Sequence, residues 1–287
     1  MNYAGEPMSN KIVHTKKHPL SDFVSIISDY PFYCKCNSLY LKLGKQQERS
    51  KNMYTVLVIS CHPDDMEIAC AGTLLKCKER GDRVVICHLS SGNLGHVVIP
   101  PDELRVMRAK EAERSAAMGG FEVIHSSFDD LEIYDNNKEA RDKVVEVIQQ
   151  VDPDFIITHD PNDYMPDHTA VSRLVFDASF TATLPNYPTK TGKAARLVPI
   201  YYMDTLAGVN FNPTEYVDVS EYIDTKLQML ECHETQVVWM REHDGIDFPD
   251  MVKTCCRYRG FQCGADYAEG FRQCQVYLKG TTKRLLP

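Results

Sequence analysis

No apolar run in the chain approaches the roughly 18 residues that a membrane helix needs, so no membrane span is expected. The one early apolar patch, Phe23 to Ile27, is too short and too deep in the chain to serve as a secretory signal. Long basic runs are also missing, and the formal net charge is −8. Nucleic acid and anionic membranes are therefore poor partners for this chain. No C-x-x-C pair occurs among the eleven cysteines, which removes support for thiolate zinc knuckles and for thioredoxin chemistry. The cysteine count is odd and no export signal accompanies it. Several cysteines sit in apolar runs, as Cys87 does after Val84-Val85-Ile86, where a free thiol behaves as a small hydrophobe. A reducing cytoplasm is the expected setting. Internal repeats and low-complexity tracts are absent as well.

The 287 residues suffice for one large domain or two small ones. Residues 1–52 show no sustained periodicity and read as an N-terminal extension, either disordered or the product of a start placed too far upstream. From residue 53 the pattern sharpens. Strands are expected at Tyr54 to Ser60, Arg83 to Leu89, Phe121 to His125 and Asp154 to His159. Between and after them lie helices at about Glu67 to Arg80, Asp102 to Met118, Lys138 to Gln150 and Asp167 to Ala182. This alternation predicts an α/β fold with a mainly parallel sheet flanked by helices. Further on, Val198 to Met203 and Glu215 to Val219 read as strands and Ser220 to Glu234 as a helix. Helical patterns then run to about residue 272, and Gln275 to Leu278 reads as a last strand.

In open α/β sheets, ligands bind beyond the carboxyl ends of the strands. Two such loops concentrate His and Asp. The first is Cys61-His62-Pro63-Asp64-Asp65-Met66-Glu67, after the first strand. The second runs from His159 to His168, after the fourth. His62 and Asp65 can aim at one point across a proline turn, and His168 is the best third ligand. Three protein ligands with one open position is the pattern of a catalytic divalent metal. Asp64, free of ligand duty, can then take a proton from water activated by that metal. The chemistry so described is metal-assisted hydrolysis. A phosphate loop lacks support, because the first loop has no G-x-G-x-x-G.

These residues resemble the LmbE-like (PIG-L-like) N-acetylglucosaminyl deacetylase family. The resemblance rests on HPDDME-x-x-x-AGTLL at His62 to Leu75, DYMPDH at Asp163 to His168, and R-x-x-E at Arg108 to Glu111. Lys226 to Gln236 and Arg259 to Phe271 are similar to the family's C-terminal segments, so the likeness spans about residues 53–287. It implies a Rossmann-like sheet in a single catalytic domain. It implies His62, Asp65 and His168 as ligands of a divalent metal, usually Zn2+; a cysteine-rich cytoplasm permits Fe2+ or another divalent metal as the alternative. It further implies Asp64 as general base, Arg108 as a substrate contact, and an amidohydrolase that removes the N-acetyl group from an N-acetylglucosamine-containing small molecule or glycoconjugate. The family often has His where this chain has Met165, and a thioether can neither donate to an oxyanion nor protonate an amine. His96 is the leading substitute, with His159 and His233 behind it. Tyr267 and Glu269 either border the pocket or pack helices. Two other readings stay open on sequence alone: a non-catalytic protein that binds metal and a sugar conjugate, and a hydrolase or hydratase on another small substrate. A homo-oligomer is compatible with all of them.

Overall fold

The computed structural model describes residues 54–287, so the expected extension at 1–52 lies outside the described residues. The chain enters the sheet at β1 (Thr55–Ser60), a β-branched run in which every residue is buried. Alternate side chains face opposite sides, as strand geometry requires. Leu57 and Ile59 pack against Val144, Ile148, Leu174 and Val175, whereas Val56 and Val58 pack against Leu74, Cys77, Ala116 and Met229. A strand apolar on both faces belongs in the middle of a sheet covered by helices on each side.

The remaining strands are β2 (Arg83–Ser90), β3 (Glu122–Phe128), β4 (Phe155–Thr158), β5 (Ile200–Met203), β6 (Glu215–Asp218) and β7 (Ala268–Gln273). Their spatial order is β3-β2-β1-β4-β5-β7-β6. The first five pair with one another in parallel, and β7 runs antiparallel to both β5 and β6. The chain builds outward from β1 through β2 to β3, then returns to lay β4 on the other side of β1. The crevice at the carboxyl ends of β1 and β4 is therefore the switch point of the sheet, where such folds leave room for a ligand.

The helices are α1 (Asp65–Ala69), α2 (Ala71–Glu79), α3 (Pro101–Gly119), α4 (Lys138–Val151), α5 (Pro166–Thr181), α6 (Ile223–Glu231), α7 (Glu234–His243) and α8 (Phe248–Cys263). The α4 helix matches its expected span. Its N-terminus is capped by Asn137, whose side chain accepts from the Glu139 and Ala140 amides at 2.9 and 3.2 Å, and Val144, Val147, Ile148 and Val151 are all buried. No helix among the described residues is long and apolar enough to cross a membrane.

Three expectations are corrected. The single helix expected from Glu67 to Arg80 is two helices, α1 and α2, separated at Cys70, whose φ of −146° is not helical. The reason is a distant carboxylate. Glu269 on β7 accepts the Gly72 and Thr73 amides at 2.9 and 2.7 Å and so caps α2 from outside. Lys226 on α6 bonds the Ile68 carbonyl at the end of α1 at 2.9 Å and Glu269 at 2.5 Å. Gly72 permits this close approach, since a Cβ there would lie 2.7 Å from Val219 Cβ. The helix expected from Ser220 to Glu234 is likewise divided: a short 3-10 turn leads into α6, and α7 starts after His233. The last strand is Ala268–Gln273 rather than Gln275 to Leu278, and helix α8 ends at Cys263 with Gly264 in the left-handed region.

Candidate metal and catalytic site

The two expected loops meet at the switch point. Asp64 occupies the turn between β1 and α1 with φ 109°, a backbone conformation that non-glycine residues rarely adopt. Such strain persists only where surroundings over-determine it, and it gathers at functional sites. Here the surroundings are Pro63 before it and Arg108 beside it. The Arg108 guanidinium, buried on α3, donates to the Pro63 carbonyl, to Asp64 Oδ2 at 3.0 Å and to the Gly92 carbonyl at 3.0 Å. Burial pushes the Asp64 carboxyl up to about 6, against the lowering effect of Arg108.

His62, Asp65 and His168 converge, with one ligand atom from each lying within 4.8 Å of the others. His62 Nδ1 is 3.3 Å from His168 Nε2 and 3.7 Å from Asp65 Oδ2, and His168 Nε2 is 3.3 Å from Asp65 Oδ1. Ligands held tetrahedrally at roughly 2.1 Å from a zinc ion stand about 3.4 Å apart, so these separations suit such an ion.

The outer nitrogens explain the orientation. His168 Nδ1 is 3.1 Å from Asp163 Oδ2, and His62 Nε2 is 3.3 Å from Asp167 Oδ2. An ionised carboxylate only accepts, so each ring donates outward and turns its other nitrogen inward. Two inward lone pairs at 3.3 Å repel unless a cation or proton sits between them. This is the arrangement by which carboxylates orient metal-binding histidines, and the residues fit a divalent metal. The charges agree. Burial opposes ionisation of Asp65, but His168 and His159 hold its carboxyl well below the usual range. Burial likewise lowers His168, yet Asp65 and Asp163 outweigh it and bring the imidazole up to about 9.

Asp163→Asn is expected to lower metal affinity by about tenfold to a hundredfold, since loss of such an outer partner has that effect. Competitive titration of the apo protein with a chromophoric chelator measures it, and unchanged affinity would count against the orienting role.

The other sequence candidates are placed differently. His96 is half-buried, its Nδ1 accepts the Val98 and Ile99 amides at 3.1 Å each, and its ring leans on Trp239. It is not among the residues lining the cavity, because its loop turns it toward α7. The expectation that His96 replaces the histidine absent at Met165 is thus not met by the geometry. Trp239 stacks on the His243 ring and meets the His96 ring at a tilt. His159 is buried, stacks on His168 with ring centroids 3.9 Å apart, and accepts the Cys61 amide at 2.9 Å. His233 lies fully buried, its Nε2 3.0 Å from Glu67 Oε1. Glu111 of R-x-x-E caps α7 through the Thr235 amide and hydroxyl at 2.9 and 2.7 Å.

A cavity of about 440 Å³ opens over these groups. Met165 and its neighbour Tyr164 both line it. Tyr164 is more than half exposed; the part that is covered, with Asp163 and Asp65, raises its phenol above the ordinary value, and the phenol keeps its proton as a donor. Asp130 lines the cavity too, accepting from Ser90 Oγ and from the Leu94 amide at 2.9 Å. Sequence reasoning singled out neither Tyr164 nor Asp130. Tyr164 stands in the quoted second loop, whereas no local pattern marks Asp130.

Comparison with known proteins points the same way. The family model described as PIG-L, GlcNAc-PI de-N-acetylase, matches residues 57–179. The diacetylchitobiose deacetylase of Thermococcus kodakarensis is 31% identical over 241 residues, covering 79% of this chain and 86% of that protein. Among solved structures, the conserved protein TT1542 of Thermus thermophilus superposes with a TM-score of 0.68 at 28% identity, covering 81% of this chain and 100% of that one. The 4-carboxy-2-hydroxymuconate hydratase GalB of Pseudomonas putida also gives 0.68, at 20% identity, over 80% of this chain and 100% of that one. At that identity the likeness concerns the fold.

Proposed function

The chain belongs to the PIG-L family of de-N-acetylases, and from that premise we propose that it hydrolyses the N-acetyl group of an N-acetylglucosamine-containing small molecule or glycoconjugate. The observation that carries this reading is the convergence of His62, Asp65 and His168 beside the strained, Arg108-held Asp64 on the floor of one cavity. His62, Asp65 and His168 would hold a divalent cation, zinc being the first choice and ferrous iron the second, which when bound supplies Lewis acidity toward water and an amide carbonyl.

The chain's own residues do the rest. Asp64 accepts the proton of the attacking water and returns it to the departing amine nitrogen, because it is the cavity carboxylate beside the ligands that Arg108 holds in place. Arg108 positions Asp64 through Nη2 and, because it also lines the cavity, is the residue we assign to contact the substrate. Tyr164 is the donor we assign to the developing oxyanion in place of a side chain at Met165. A reducing cytoplasm is the setting we infer from the cysteine usage. The readings as a binding protein or a hydratase are not favoured, since the 31% relative is a deacetylase and the hydratase likeness is one of fold.

Acetate release from a panel of N-acetylglucosamine conjugates tests the proposal. Release is expected from the zinc-loaded protein, with loss under chelator and recovery on adding metal. A protein with full metal occupancy that releases no acetate from any conjugate would overturn it.

A further inference from the structure

The cavity lining is of two chemical kinds. One is the set of histidines and carboxylates already described. The other is an apolar wall that includes Ile68, Met203, Leu206, Met240 and Phe248, contributed by α1, β5 and the 3-10 turn after it, α7 and α8. Two polar side chains interrupt that wall, and each already has one partner. Asp204 is held by Arg259 through Nε at 2.5 Å and Nη2 at 3.0 Å. The Gln236 amide donates to the Gly95 carbonyl at 3.0 Å.

A volume of about 440 Å³ exceeds what one acylated amino sugar fills. The remainder must suit whatever is attached to that sugar. A second pyranose presents a ring of hydroxyls, each of which loses water on entry and needs a new partner. The apolar wall has few to give. An alkyl chain or aromatic ring needs none and gains by leaving water. The methionines add to this, since their unbranched thioethers adapt to irregular apolar shapes.

Resting on the deacetylase reading, we infer that the substrate carries an apolar group, alkyl or aryl, beside the acylated glucosamine, and that Met203, Leu206, Met240 and Phe248 select for it. The group has two sources, the aglycone or the acyl chain, and both present the same chemistry to this wall.

The test uses the full-length zinc-loaded protein and four compounds: N-acetylglucosamine, diacetylchitobiose, octyl N-acetylglucosaminide and N-octanoylglucosamine. The value of kcat/KM for one of the octyl compounds is expected to exceed that for diacetylchitobiose by about tenfold or more, as burial of a few methylenes allows. The favoured octyl compound identifies the source. Met240→Gln, of similar volume, is expected to narrow that ratio by about threefold to tenfold, and a ratio within one preparation cancels any loss of folded protein. Diacetylchitobiose turned over as well as or better than both octyl compounds would overturn the inference and leave the deacetylase reading standing. Turnover of none of the four would overturn both.

Discussion

Asp64→Asn is expected to reduce kcat for any accepted substrate by about 10²–10⁴-fold, the usual contribution of a positioned acid or base. Asparagine is the informative choice for a physical reason. It tolerates positive φ better than other residues, so the turn at φ 109° survives the exchange. Its amide oxygen can still accept from Arg108, which keeps that buried guanidinium partnered. What it lacks is a site for the proton. Metal content measured by atomic absorption should stay at the wild-type level, because the geometry assigns Asp64 no place among the ligands. Unaltered turnover would remove Asp64 from the chemistry. Loss of turnover together with loss of metal would make it a ligand instead.

The largest effect on stability is expected far from the chemistry, at Glu269. Its carboxylate caps α2 through two amides and neutralises Lys226, and both side chains are buried almost completely. Replacing Glu269 by Ala leaves an ammonium inside the protein bonded to the Ile68 carbonyl and strips two helix amides of their acceptor. Removing one partner of a buried pair costs about 3–5 kcal/mol. Urea unfolding should register a loss of that order in Glu269→Ala. The double variant Glu269→Gln with Lys226→Met should recover part of it, because no charge is then stranded. A loss below about 1 kcal/mol for Glu269→Ala would show that water or another group reaches Lys226. The effect bears on function as well, since α1, anchored by Lys226, begins with Asp65.

Much of this protein was determined by its sequence alone, wherever the decisive interactions are local. A strand buried on both faces must be β-branched and apolar along its length, so Tyr54 to Ser60 reads as a central strand without any knowledge of its neighbours. The α4 helix is equally plain, because its capping asparagine and its apolar stripe lie within one segment. The proposed ligand set is legible for a related reason. His62 and Asp65 share one short loop, and His168 follows the only other strand end with a comparable concentration of His and Asp. Parallel topology then puts both loops at one edge of the sheet, and the pairing of β4 with β1 brings them together.

Tertiary structure decided what depends on partners distant in the chain. The break between α1 and α2 is set by Glu269, some two hundred residues away, and propensity within residues 65–80 holds no trace of it. β7 was missed because AEGFRQ alternates poorly; its place between β5 and β6 comes from pairing rather than from apolar period. Arg108 was read as a substrate contact; it does line the cavity, and the fold gives it a further task, holding Asp64 and two carbonyls, that is visible only once α3 lies against the first loop. His96 follows the right strand yet is turned from the cavity by its own loop amides and by Trp239. A loop residue's position along the chain constrains its distance from a strand end; the direction of its side chain is settled by whatever packs against it.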